Sequence, residues 1–523
     1  MIDLDRVSDP ELLRAVAKVQ DAEIRRLHDR LTTLTRQLAA AQNADAATIQ
    51  EQLALLEKEL REAHERAYRT GSERRPRPDT DVPKAEKKPA KGHGPTAQPR
   101  LPIEEMPTHL LDAADATCPS CGGGLEVWEG QTEDSEEVDV MDIQYVLKKH
   151  RRQKYRCRCG GCVETAPGPL KLIPGGRYSL DFAVHVALEK YCSHLPLERQ
   201  TKRMARAGLI IESQALWDQL FGLSRCFKDV MVRLHEYLLT KDVLLADETR
   251  WPLRGVTGRA TKNWFDWVLV AEDAVLHSIH ETRSNEAADA VLGQFDGVLL
   301  TDGYGVYQSR AQAIGFVQAH DWCHARRRFI DAESTAPETA KTILDHIGTL
   351  FLIEREIVAE FTGMNLDDAL ALRHRRRQER SKPIVQEIGR IAAEVRALSD
   401  SPIARAVKYL ENQWAGLIRF LDDPRIPITS NAAEAALRCL VLGRNNHFGS
   451  KSKRGTEVAA MFYSLIESAK MNDLDPGAYL RHGAAAFLRG ERVPLPHELR
   501  EAGIILPRLI PPAGAAIEAV AGS

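Results

Sequence analysis

The chain has 523 residues and a formal net charge of −3, from 71 Lys and Arg residues against 74 Asp and Glu residues. This length allows two to four domains, and the near-neutral balance does not by itself indicate a nucleic-acid partner. The sequence has no run of about 18 apolar residues, as a membrane-spanning helix requires, and its N-terminus lacks a signal-peptide core. We therefore expect neither secretion nor membrane insertion, and a cytoplasmic location.

The N-terminal residues have the pattern of a segment that associates with other chains, followed by a linker. Residues 11–69 contain no Pro or Gly, and apolar residues recur there at the three- and four-residue spacing of a coiled coil: Ile24, Leu27, Leu31, Leu34 and Leu38. We predict a coiled coil over residues 1–70 that joins chains into a homodimer or larger assembly; the alternative is an amphipathic helix that packs on its own protein. Eight prolines within residues 71–107 predict a Pro- and Lys-rich linker over 71–114.

Five of the nine cysteines predict a zinc-binding module over residues 115–170. They are Cys118, Cys121, Cys157, Cys159 and Cys162. Two clusters of cysteines about 36 residues apart are typical of a zinc ribbon. We expect four of the five to bind one structural Zn²⁺. Spacing favours Cys159 with Cys162 as the second pair, and Cys157 is the competitor.

The same module has segregated charge. Residues 126–142 hold eight acids and no base, and residues 148–158 hold seven Lys and Arg residues and no acid. The basic segment is a candidate contact for DNA phosphates. The alternative is that it pairs with the acidic segment of the same chain.

Two aspartates follow apolar runs that we predict to be strands. Asp247 follows VLLA, and Asp302 follows GVLL and precedes Gly303, which permits a sharp turn. Taken alone, an Asp at a strand end is more often a turn or a helix cap. Strand alternation sends the neighbouring Glu248 to the opposite face, and we assign it no catalytic role.

A third acid, Glu434, lies in a helix that we predict to begin near Ser430. Asn431 and Arg438 share its face at helical spacing. Carboxylates from two strand ends and one helix are the ligands that a pair of Mg²⁺ ions needs for phosphodiester chemistry. The combination therefore predicts a metal-dependent nucleic-acid enzyme.

Seven sequence motifs, in order, resemble the insertion-sequence-66 family of transposases. They are CPSCGG, ADETR, TDGYGVY, HARRRF, NAAEAALR, GRNNHFGS and YSLIESAKMNDLDPGAYL. The resemblance implies a DDE-type enzyme with an α/β fold: an RNase H-like mixed sheet with flanking helices and a helical insertion. It places that catalytic domain at residues 241–490 with the insertion at about 330–425, after a helical DNA-binding or connecting region at 171–240 and before a C-terminal tail at 491–523.

The resemblance also implies roles for individual residues. The catalytic acids fall on Asp247, Asp302 and Glu434, which would hold two Mg²⁺ or Mn²⁺ ions. Three zinc ligands fall on Cys118, Cys121 and Cys157, and either Cys159 or Cys162 is the fourth. The candidate DNA contacts are Asn431, Arg438, Arg444, Asn446, His324, Arg326, Arg327 and Arg328. A solvated basic face is the alternative for the arginines after His324, and a packed or capping role is the alternative for His324 itself.

The sequence departs from the family pattern at two positions. Ala435 stands where an Arg is usual after the catalytic Glu, and Asn445 stands where a Lys is usual. Both changes remove a positive charge that can contact DNA phosphates.

We therefore expect a transposase that binds element ends, cleaves them and joins them to target DNA. Small accessory proteins of the same element are possible partners. The alternatives are a catalytically silent zinc-ribbon DNA-binding protein and a nuclease on the same core.

Overall fold

The computed structural model describes residues 144–156, 163–254, 262–333, 335–397 and 401–506. The predicted coiled coil, the linker and the five clustered cysteines lie outside the described residues. The described chain divides into two compact units. One comprises residues 324–362 and 376–412, and the other comprises the remainder. In the described part, no helix has the length and apolar character needed to cross a membrane.

The strands form one small sheet and one five-stranded mixed sheet. In the small sheet, β1 (Lys154–Arg156) pairs antiparallel with β2 (Val163–Thr165). The larger sheet contains β3 (Val243–Leu253), β4 (Lys262–Val270), β5 (Val275–His280), β6 (Val298–Thr301) and β7 (Val317–His320). Its spatial order is β5-β4-β3-β6-β7, with the first three strands antiparallel and β3, β6 and β7 parallel. The predicted mixed α/β sheet is confirmed.

Helices precede, separate and follow the strands of this sheet along the chain. Before it come α1 (Leu180–Tyr191), α2 (Leu197–Arg206), α3 (Ser213–Arg225) and α4 (Lys228–Leu239). Between and just after its last strands come α5 (Asn285–Leu292), α6 (Gly305–Ile314) and α7 (Trp322–Ala332).

The remaining chain is almost entirely helical. First come α8 (Pro337–Glu360), α9 (Leu366–Arg376), a π-helical turn (Arg377–Ser381), α10 (Lys382–Glu394), α11 (Pro402–Leu417) and a 3₁₀ turn (Arg419–Leu421). Then come α12 (Asn431–His447), α13 (Lys453–Met471), α14 (Pro476–Leu488) and α15 (Pro496–Glu501).

Helix α13 covers the outer edge of the large sheet. The backbone N–H groups of Val275 and His277 in β5 donate to the hydroxyls of Ser468 and Ser464, at 2.9 and 2.8 Å. An edge strand has backbone donors without a strand partner, and burial without a hydrogen bond would be costly. The two serines therefore let β5 be buried beneath a helix.

The core of the sheet contains the tryptophans that the sequence places in its strands. Trp251, Trp264 and Trp267 are 0%, 6% and 1% exposed. The structure buries all three rings. Burial of such large rings is a major part of the hydrophobic stabilisation.

A close backbone contact joins the end of α12 to the end of β3. Ser450 forms a bridge with Leu253, and its N–H donates to the carbonyl of Pro252 at 3.1 Å. The chain reaches this position through Gly449, whose φ is +74°. A Cβ atom on Gly449 would lie 1.9 Å from the Pro252 carbonyl oxygen. Glycine is therefore required there by conformation and by space.

We predict that Gly449→Ala lowers the thermal midpoint of the protein well below that of Gly490→Ala. Gly490 also has a positive φ, +77°, but a Cβ there would meet nothing within 4 Å. Its substitution should cost only the left-handed strain of about 1–2 kcal/mol, whereas Gly449→Ala must also move backbone. Differential scanning fluorimetry measures both, and equal midpoints for the two variants would contradict the packing argument.

Candidate active site

Parallel pairing places two of the predicted acids on adjacent strands. Leu245 of β3 is the register partner of Leu300 of β6. Asp247 and Asp302 each lie two residues further along, and both are partly buried. Because parallel strands run the same way, Asp247 and Asp302 lie next to each other on neighbouring chain segments.

Local hydrogen bonds orient both carboxylates. The backbone N–H of Glu248 donates to Asp247 Oδ1 at 2.7 Å, and that of Tyr304 donates to Asp302 Oδ1 at 2.9 Å. Gly303 supports the second turn with a φ of +85°, which an L side chain rarely adopts. The sequence predicts this turn at Gly303, and the structure confirms it.

The buried hydroxyl of Tyr307 lies in the field of both acids. Its pKa is raised well above the usual value, first by burial and then by the negative charges of Asp247 and Asp302. Tyr307 therefore lies within electrostatic range of both carboxylates.

A further acid, which the sequence analysis did not identify, occupies the next strand end. His320 of β7 is the register partner of Thr301, and the N–H of Asp321 donates to the Thr301 carbonyl at 3.2 Å. Asp321 is 1% exposed, and its Oδ1 accepts a bond of 2.6 Å from the N–H of Cys323 at the start of α7. Asp321 follows VQAH, a strand with only two apolar residues, so the apolar run that pointed to Asp247 and Asp302 is absent here.

The third predicted acid approaches this site from α12. The helix begins at Asn431 with Ser430 as its N-cap, as the sequence predicts. The Ser430 hydroxyl donates to Asp321 Oδ2 at 2.6 Å, and the Ser430 carbonyl accepts from the N–H of Glu434 at 3.2 Å. Carboxylate oxygens of Asp321 and Glu434 lie within 4.8 Å of each other. The hydrogen bond from Ser430 to Asp321 therefore helps fix the first turn of α12, which contains Glu434, beside the end of β7.

The four acids thus form two neighbouring pairs. Asp247 and Asp302 follow the register of β3 and β6, and Asp321 and Glu434 meet beside β7. Among the described residues, the 4.8 Å cluster that contains Glu434 includes neither Asp247 nor Asp302. All of these side chains offer oxygen atoms, the donors that Mg²⁺ and Mn²⁺ prefer. The donor set fits a divalent cation.

The predicted DNA contacts on α12 differ in their surroundings. Asn431, Arg438 and Asn446 are exposed. Arg444 is half-buried: its guanidinium donates to the Thr249 hydroxyl at 3.0 Å and to the Arg250 carbonyl. Arg444 therefore binds β3 in this structure, and its proposed contact with DNA remains a prediction.

The other predicted DNA contacts lie in α7. His324 is in the first turn, three residues after Asp321, and is partly buried. Arg326 is partly buried, whereas Arg327 and Arg328 are exposed. The Arg328 guanidinium lies 5.0 Å from the centre of the Tyr409 ring. Their contact with DNA also remains a prediction.

Comparison with known proteins identifies two matching family models. Residues 175–458 match the model "Transposase IS66 family", and residues 115–160 match the "zinc-finger binding domain of transposase IS66". The first match covers more than half of the chain and includes Asp247, Asp302, Asp321 and Glu434. The second includes Cys118, Cys121, Cys157 and Cys159 and ends before Cys162.

Similar proteins come from Sinorhizobium fredii (strain NBRC 101917 / NGR234). The uncharacterized protein y4jD is 30% identical over 400 residues, which are 72% of this chain and 76% of the relative. The uncharacterized protein y4qI is 28% identical over 435 residues, 77% of each chain. Together with the match over residues 175–458, this similarity shows that the chain belongs to the IS66 transposase family.

Proposed function

We propose that this protein is the DNA transposase of an insertion sequence, and that Asp247, Asp302 and Glu434 are its catalytic carboxylates. The observation that supports the proposal is the pairing of Leu245 in β3 with Leu300 in β6, two residues before Asp247 and Asp302 respectively. The strand order β5-β4-β3-β6-β7 is the order expected of an RNase H-like core. Helix α12 brings Glu434 to the adjacent end of β7, beside Asp321.

The proposed reaction has two steps at one site. Hydrolysis of a phosphodiester bond at the element's end frees a 3′ hydroxyl, and this hydroxyl then attacks a phosphodiester of the target, forming one bond as another breaks. Two Mg²⁺ or Mn²⁺ ions, when bound, would activate the attacking oxygen and stabilise the leaving oxygen. The protein's part is to hold carboxylates and DNA in a fixed geometry, with no covalent protein intermediate.

Asp321 has a different role in this proposal. Both of its oxygens accept hydrogen bonds from groups at helix starts, the Cys323 N–H and the Ser430 hydroxyl. It thereby ties the beginning of α7 to the beginning of α12. Because Glu434 is in the first turn of α12, Asp321 positions a proposed catalytic acid through Ser430.

DNA recognition and assembly complete the proposal. The zinc-binding module and the exposed polar residues of α12 and α7 are the proposed DNA contacts. Two element ends must be held together for joining, so we propose a dimer formed by the N-terminal coiled coil.

We predict that Asp247→Asn, Asp302→Asn and Glu434→Gln each reduce end cleavage and strand joining to background while end binding persists. Each change removes a negative charge but keeps nearly the same shape. The assay uses labelled element ends, a supercoiled target plasmid and Mg²⁺, with a gel-shift measurement of end binding. Asp289→Asn is the matched control, because Asp289 is a surface residue paired with Arg310.

The outcomes separate the candidate functions. Cleavage with no joined product would support a nuclease, and end binding with no metal-dependent cleavage by the wild type would support a silent DNA-binding protein. Full activity of Asp302→Asn would refute the proposed site itself.

We predict that Cys159→Ser loses the bound zinc and that Cys162→Ser retains about one zinc per chain. The zinc-finger match includes Cys159 and ends before Cys162, and a structural site requires four ligands. Elemental analysis of purified protein measures the zinc content, and Cys118→Ser serves as the positive control for loss. The reverse result would make Cys162 the fourth ligand.

A further inference from the structure

Glu248 follows Asp247 directly and is the centre of a buried polar network. Its side chain is 2% exposed. Its Oε1 forms an ion pair with the Arg283 guanidinium, and its Oε2 accepts a hydrogen bond of 2.8 Å from the Tyr307 hydroxyl. A buried carboxylate is costly without such partners. Both oxygens of Glu248 are therefore used for structure.

Arg283 extends the network to the segment that follows Asp302. It lies between β5 and α5, and its guanidinium lies 4.1 Å from the centre of the Tyr304 ring. The Tyr304 hydroxyl donates in return to the Arg283 carbonyl at 3.2 Å. Tyr304 is also the residue whose N–H bonds Asp302. Arg283 is thus linked to both aspartate-bearing segments.

Tyr307 provides a rigid attachment point for this network. It is 0% exposed and packs edge-to-face against Trp267, with ring centres 5.8 Å apart and an interplanar angle of 77°. Trp267 is the register partner of Glu248 across β3 and β4. The hydroxyl of Tyr307 can reach Glu248 only while α6 and β3 keep their present separation.

Electrostatic repulsion between Asp247 and Asp302 opposes the geometry of the candidate site. Asp247 and Asp302 are on separate segments, and two ionised carboxylates that lie close together repel each other. This repulsion acts to separate β3 from the turn after β6 whenever no cation lies between them. Glu248, the residue after Asp247, bonds Tyr307 directly and is linked through Arg283 to Tyr304, and both tyrosines follow Asp302 in the chain.

We propose that Glu248, Arg283 and Tyr307 are positioning residues that hold Asp247 and Asp302 at the separation a divalent cation requires. The proposal rests on the proposed function, because it assigns the same two aspartates to metal binding. It adds that Glu248, the third residue of the ADETR motif, and Tyr307, the last tyrosine of TDGYGVY, act as a pair in preorganising that site.

The test uses Tyr307→Phe and Glu248→Gln in the full-length protein. The first removes one buried hydroxyl and keeps the ring, and the second removes the charge and keeps the shape. Electron paramagnetic resonance measures Mn²⁺ binding without DNA, and cleavage of labelled ends is measured against Mg²⁺ concentration. We expect both variants to weaken Mn²⁺ binding and raise the Mg²⁺ concentration at half-maximal rate by about five- to tenfold, since one hydrogen bond to a charged group is at stake.

The control variants distinguish positioning from general destabilisation. Ser309→Ala removes another hydroxyl of α6, one that bonds Asn285, and should leave Mn²⁺ binding unchanged. Asp302→Asn should abolish binding at this site. In Tyr307→Phe, the rate at saturating Mg²⁺ and the affinity for element ends should stay within about twofold of wild type, a pattern that loss of folded protein would not produce. If Glu248→Gln fails to fold, Tyr307→Phe alone decides the result.

Two results would separate this proposal from the proposed function. Wild-type Mn²⁺ affinity in both Tyr307→Phe and Glu248→Gln, alongside an active wild type that Asp302→Asn inactivates, would overturn the positioning role and leave the transposase proposal intact. Weakened Mn²⁺ binding in both variants of a protein that never cleaves DNA would support the positioning role and overturn the catalytic proposal.

Discussion

The parallel pairing of β3 with β6 and of β6 with β7 is the constraint on which the candidate site depends. Asp247 lies within β3, and Asp302 and Asp321 directly follow β6 and β7. The register of the three strands brings these acids to the same part of the sheet. A shift of one residue in either pairing would turn an acid toward the opposite face. The buried apolar side chains of the three strands oppose such a shift, so the core of the sheet also sets the geometry of its polar edge.

Gathering carboxylates in one place carries an electrostatic cost, and the fold offsets part of it. Asp321 accepts hydrogen bonds from the starts of two helices, and Glu434 lies in the first turn of α12, where the helix dipole favours negative charge. On the other side, the Arg283 guanidinium pairs with Glu248 behind the two aspartates. These contacts leave a site that retains acidic oxygen donors, as binding of a divalent cation requires.

Much of this arrangement is local in sequence and was therefore predictable. Asp302 follows an apolar run and Ser430 precedes a helical pattern, so the end of β6 and the start of α12 could be predicted without knowledge of the fold. The expectation that Asp247 ends its strand was wrong, because β3 continues to Leu253 in its pairing with β4. Asp321 follows VQAH, a four-residue strand with only two apolar residues, which is too short and too polar to be recognised by hydrophobic alternation alone. Its link to the start of α12 is shown only by the tertiary hydrogen bond from the Ser430 hydroxyl.

The network around Glu248 lies beyond what the sequence alone can indicate. Glu248 bonds residues 35 and 59 positions away, and no local pattern encodes such pairs. Strand alternation predicts opposite faces for Glu248 and Asp247, but it does not indicate which residues Glu248 bonds. Likewise, the sequence motif around Arg444 predicts a contact with DNA, whereas the structure shows its guanidinium bonded to Thr249 and Arg250. The coiled coil and the zinc ligands remain predictions, because they lie outside the described residues.

Anomalous diffraction from crystals of the protein grown with Mn²⁺ would test the central claim most directly. The account predicts Mn²⁺ coordinated by carboxylate oxygens of both Asp247 and Asp302, with Glu434 completing the site. Mn²⁺ bound by Asp321 and Glu434 with Asp247 and Asp302 both free of metal would contradict it.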